Sequence, residues 1–185
     1  MFRFFRRKKV ADEVDPSELE MDLRNAVGPI LTIYEEFSAD VTEAYVGLEH
    51  NPAELRFFTM AATSVFIQAF GDLPQEKMQA LVGMFYEQSA ANMLLFMPQA
   101  DFSLVHSAAT QRFATYADSI VEVINAGTEQ AQQDANLSLM TLLDENLGVD
   151  RGEFDRSIQG LTLGSSLVRY AAQVRDAAIQ TGGKF

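Results

Sequence analysis

Between Ala53 and Phe70 the chain has only two charged residues, Glu54 and Arg56, and it sets Leu55, Phe57, Phe58, Met60, Val65, Phe66, Ile67 and Phe70 on every side of a helical wheel. A helix that is apolar all round must lie at the centre of its domain or be covered by another molecule. Asn51-Pro52 in front of it pairs a capping residue with the amino acid best tolerated at the first helical position. Behind it Gly71-Asp72-Leu73-Pro74 turns the chain. The remaining segments have to be arranged around this one.

Their punctuation is helical. Pro16-Ser17-Glu18 predicts a helix start, with Leu19, Leu23, Ala26 and Val27 as its apolar face, and Gly28-Pro29 predicts an interruption or bend. A further segment from Ile30 to Val46 places Ile30, Ile33, Phe37, Val41 and Tyr45 on one stripe, with Gly47 at the C-terminal cap. After Pro74 a helix carries Met78, Leu81, Val82, Phe85, Met93 and Phe96 inward and stops near Pro98. Asp101 predicts the cap of a helix bearing Phe102, Val105, Ala109, Phe113, Tyr116, Ile120 and Ile124, and Thr128 the cap of another bearing Leu139, Leu142, Leu143 and Leu147 and ending at Gly148. From Asp150 to about Gln180 the pattern puts Phe154, Ile158, Leu161, Val168, Ala172 and Ile179 inward, with Gly160 and Gly164 as breaking or close-contact points.

No segment shows sustained apolar and polar alternation, so no sheet is expected. The expected architecture is all-α, a single-domain bundle of six or seven mostly antiparallel helices over residues 16–181, with an N-terminal extension over 1–15 and a flexible tail over 182–185. A length of 185 residues and a 48% apolar composition suit one such core.

Charge is distributed unevenly. Residues 1–10 hold Arg3, Arg6, Arg7, Lys8 and Lys9 without an acid, whereas the rest of the chain carries all 26 acids. The net charge of -12 argues against nucleic acid as a partner, because phosphate binding needs clustered cations. The basic stretch runs into Val10-Ala11-Asp12-Glu13 rather than an apolar core, which fits neither a secretory signal nor a mitochondrial presequence. A cytoplasmic protein, peripheral at most to the inner face of a membrane, is expected.

The sequence contains no catalytic signature. With no Cys there is no thiolate metal site and no Cys nucleophile. The two histidines, His50 and His106, lie in neither Glu-x-x-His nor His-Glu-x-x-His. A calcium loop over 144–155 lacks the central Gly, with Val149 in its place, and ends in Asp155 rather than Glu. Glu36, Asp40 and Glu43 read as a solvated face. No nucleophile elbow, phosphate-binding loop or dinucleotide fingerprint is present. Asn136-Leu137-Ser138 matches the glycosylation acceptor pattern and gains no meaning without export. No cofactor and no metal are expected.

Two features point instead to binding. Phe2, Arg3, Phe4, Phe5, Arg6, Arg7, Lys8 and Lys9 combine interfacial aromatics with cations suited to an anionic lipid surface or an acidic protein partner. The Phe and Met concentration between residues 57 and 102 suggests an apolar docking patch, for which Phe57, Met60, Ile67, Met84, Met93 and Met97 are the candidates. Together they predict a non-catalytic helical interaction module, either an adaptor, a chaperone-like binder or an accessory subunit, with a protein partner and a homo-oligomer as an option. The competing expectation is a carrier or sensor for an apolar small molecule, such as haem ligated by an inward-facing His106.

Overall fold

A computed structural model describes residues 16–70, 74–95, 97 and 99–182, excepting the side chains of 16–23, 70 and 178–182. It contains six helices: α1 (Pro16–Glu43), α2 (Pro52–Phe70), α3 (Gln75–Met93), α4 (Phe102–Asn125), α5 (Glu129–Leu147) and α6 (Glu153–Gly182). No strand occurs among the described residues. The all-α bundle expected from the periodicity is the observed fold.

The helix apolar on all sides is the hub. α2 packs against all five other helices, and every residue from Phe57 to Ile67 is buried. Its hydroxyls are satisfied without water: Thr59 and Ser38 share a hydrogen bond of 2.8 Å, Thr63 and Tyr170 one of 2.6 Å, and Ser64 donates to the Met60 carbonyl. Aromatic rings lock the surrounding layer. Phe37 of α1 stacks on Tyr170 of α6 at 4.1 Å, and Tyr116 of α4 meets Phe58 edge-on at 5.3 Å.

The caps read from sequence are the caps used. Asp101 accepts from the Leu104 amide at 2.8 Å and Thr128 from the Ala131 amide at 3.2 Å. Gly148 ends α5 with φ of 73°, a left-handed conformation that favours glycine. Gly47, at φ of 84°, likewise closes the turn after α1.

Gly28-Pro29 does not interrupt the chain: α1 continues through it for 28 residues. Pro29 lies on the exposed side, so the missing amide and the freed carbonyl one turn earlier face water. Meanwhile Ala26, Val27, Ile30, Tyr34, Phe37 and Val41 form one buried stripe across the proline. Burying those side chains at about 1.5–3 kcal/mol for each large one outweighs a proline cost of about 3 kcal/mol. Tyr34, absent from the expected stripe, is fully buried.

α6 also runs unbroken, and its glycines are points of close contact. A methyl group at position 160 would stand 3.1 Å from the Asn136 carbonyl oxygen, and one at 164 would overlap the Asn136 side-chain amide. The two glycines thus form a notch that receives Asn136 of α5, whose Oδ1 accepts from Gln132 Nε2 at 3.2 Å. That leaves Asn136 buried and unsuited to glycosylation. Gly164→Ala is expected to destabilise the protein by about 1–3 kcal/mol through overpacking, against a helix-propensity gain of about 1 kcal/mol. Thermal unfolding of Gly164→Ala alone and with Asn136→Ala checks this, because the double variant should recover much of the loss.

The glycine notch also fixes which side of α6 faces the core. Leu163, Leu167, Tyr170, Ala171, Val174 and Ala177 are buried. The stripe expected to point inward, Phe154, Ile158, Leu161 and Val168, points outward instead. Helix α6 carries two apolar stripes, and the glycines select the one that lets α5 approach closely.

Candidate functional site

The outer face of α6 carries four of the nine large hydrophobic side chains exposed among the described residues. Phe154 is 76% exposed, Ile158 46%, Leu161 47% and Val168 55%, with exposed Ser165 between the last two and half-buried Ala172 beyond. These positions step by four, three, four, three and four residues, so they hold one line along about 27 Å of helix. The inner face of the same helix is packed on α1, α2 and α5. The stripe is therefore backed by a rigid element. Single exposed apolar residues need no explanation, whereas a line of them on one helix face calls for one.

At its N-terminal end the helix is pinned by a buried ionic joint. Asp144, fully buried at the end of α5, accepts from Tyr45 Oη at 3.1 Å, Arg151 Nε at 3.2 Å and Arg156 Nε at 3.4 Å. The Arg151 guanidinium also lies over the Tyr45 ring, 4.9 Å from its centre. One carboxylate thus joins the end of α1, the end of α5 and the first turn of α6. It is the residue that would open a calcium loop over 144–155, and it is committed to two guanidinium groups instead. A second joint has the same design. Glu54 accepts from Tyr116 Oη at 2.7 Å and from Arg112 Nε at 2.9 Å, tying α2 to α4. Both carboxylates accept a hydrogen bond on each oxygen, an arrangement suited to holding helices in place.

The docking patch expected in the middle of the chain is not a surface. Phe57, Met60, Ile67 and Met93 are enclosed in the core, and Met84 and Met97 are half-buried against it. Five helices wrapped around α2 hide more apolar area than the segment-by-segment count allows for. What does emerge nearby is a smaller group at the turn between α3 and α4, Leu95, Phe102 and Leu104.

His106 likewise faces outward rather than into the core. Its ring lies 6.4 Å from Tyr86 and 5.9 Å from Phe102, at the edge of an open concavity that also takes in Gln68, Gln79, Thr110 and Phe113. An exposed imidazole on a shallow, partly polar wall does not fit the enclosed apolar slot that a haem carrier would need. His50 sits in the turn before α2, its Nδ1 2.8 Å from the Leu48 carbonyl oxygen. Glu36, Asp40 and Glu43 are on the solvent side of α1 as expected, and no group of three metal-ligating side chains occurs among the described residues. Phe2 to Lys9 lie outside the described residues.

The chain matches no family model. No curated protein and no solved structure is significantly similar to it either. No described helix is long and apolar enough to cross a membrane.

Proposed function

We propose that this protein is a non-catalytic helical interaction module that docks a protein partner on the outer face of α6. The observation that carries this reading is the line of Phe154, Ile158, Leu161 and Val168, left in water by a helix whose opposite face is fully packed. Phe154 is three-quarters exposed and the other three about half, so covering each is worth on the order of 1 kcal/mol. The sum over the line is of the size of the smallest association costs, which an already ordered supporting helix helps to keep low, so contacts at the rim must add to it. The carboxylates Glu54 and Asp144 support a scaffolding role, since each of their oxygens accepts from a neighbouring helix or loop. The basic, Phe-containing residues 2–9 supply a second, salt-sensitive contact in this reading, with an anionic surface as its chemistry.

The test is Leu161→Glu, which places a charge in the middle of the line at an exposed position. Its thermal unfolding should match the parent within about 0.5 kcal/mol, because nothing in the core is disturbed. Proteins retained by the immobilised parent chain should be lost from the variant. Retention of the same proteins in the same ratio by Leu161→Glu would move the docking surface elsewhere.

A further inference from the structure

We infer that the occupant of the α6 face is a second copy of this chain, with its own α6 laid antiparallel across the first. This rests on the reading of that face as a docking surface and names what docks.

The stripe has the spacing of a coiled-coil seam, with Phe154, Ile158, Leu161, Ser165, Val168 and Ala172 alternating four- and three-residue steps. An antiparallel two-fold arrangement pairs these positions end for end. Phe154 then lies opposite Ala172 of the second copy, Ile158 opposite Val168, and Leu161 opposite Ser165. Every layer matches a large side chain with a smaller one or two β-branched ones with each other, which is how facing layers fill space without voids. A parallel arrangement would set Phe154 against Phe154 at one end and Ser165 against Ser165 in the middle.

Charge selects the same arrangement. On the flank of the seam that stays exposed, Asp155, Thr162 and Arg169 recur every seven residues. In the antiparallel dimer Thr162 meets Thr162 of the second copy near the axis, and Asp155 meets Arg169 at both ends. A parallel dimer brings no opposite charges together on that flank. Arg169 holds Asp40 of its own chain with Nη2 at 2.8 Å, and it has further N–H donors for a second carboxylate. The whole helix is also electrically balanced, with Glu153, Asp155 and Asp176 against Arg156, Arg169 and Arg175. In a chain of net charge -12, this face brings two copies together without adding like charge.

The experiment uses the full chain. Sedimentation velocity over a concentration series should show a reversible monomer–dimer equilibrium. Leu161→Glu should weaken it at least ~10-fold with the helical circular dichroism intact. Asp155→Arg should weaken association, and Asp155→Arg with Arg169→Asp should restore it, the recovery fading at high salt. Because the chain has no cysteine, direction can be read by cross-linking. Leu161→Cys and Ser165→Cys chains should form a mixed disulfide when combined under oxidation. Cross-linking of each variant to itself instead would make the dimer parallel and overturn the proposal, as would a monomer at every concentration. A monomeric chain that still captures another protein through Leu161 would sink the second copy while sparing the interaction module. Capture that is indifferent to Leu161 would remove both.

Discussion

Asp144→Ala should cost about 3–5 kcal/mol, a large part of the stability of a domain this size. The carboxylate is fully buried and receives three donors, from Tyr45, Arg151 and Arg156. Removing it strands the guanidinium of Arg151, whose side chain retains only 10% of its exposure, in a site built around an anion. Leaving a buried charge without its partner is the expensive half of a salt bridge, more expensive than the intact pair is stabilising. Asp144→Asn keeps an acceptor for Tyr45 but not the charge, so its loss should be intermediate. Urea unfolding followed by circular dichroism measures both. Equal stability of parent and Asp144→Ala would show that the joint is ornamental, and the support it gives to the first turn of α6 would have to come from packing alone.

The second large effect is alkaline. All five tyrosines of the chain, Tyr34, Tyr45, Tyr86, Tyr116 and Tyr170, have their hydroxyls pushed above the ordinary value, with burial as the largest cause in each case. For Tyr45 and Tyr116 the neighbouring Asp144 and Glu54 carboxylates add to the shift. Tyr86 is pushed up to about 12 from an unfolded value of 10.0. Below pH 10 the tyrosines are neutral in both states and stability is unaffected by them. Above it the unfolded chain ionises while the folded one resists, so each tyrosine removes about 1.4 kcal/mol per pH unit until its own folded value is reached. For Tyr86 that loss runs from pH 10 to about 12. Acting together, the five should exhaust a typical domain stability within about two pH units. Near-ultraviolet tyrosinate absorbance should therefore rise only as helical circular dichroism is lost. A gradual tyrosinate signal from an intact helical protein would mean that the hydroxyls are open to solvent.

Both effects depend on pairings that periodicity alone does not mark. Tyr45 and Tyr116 are legible as members of an apolar stripe, and each is one. Their role in the joints depends on carboxylates distant in the chain, Asp144 from Tyr45 and Glu54 from Tyr116. Spacing sets Asp144 beside the apolar stripe of α5, four residues after Met140, but nothing local says what would neutralise a charge there. A buried charge becomes recognisable only when its partners are seen.

The sequence by itself determined the class of fold and the ends of several helices, because these follow from local chemistry. An all-apolar segment must go to the centre or under another molecule, and Asp101, Thr128 and Gly148 act on the backbone next to them. Tertiary structure decided what depends on competition between distant groups. It carried α1 through Pro29 because the buried stripe outweighs one lost hydrogen bond. It enclosed Phe57, Met60, Ile67 and Met93 because five helices surround α2. And it chose between the two apolar stripes of α6: the Asn136 amide fits only where Gly160 and Gly164 leave room, which turned Phe154, Ile158, Leu161 and Val168 toward solvent.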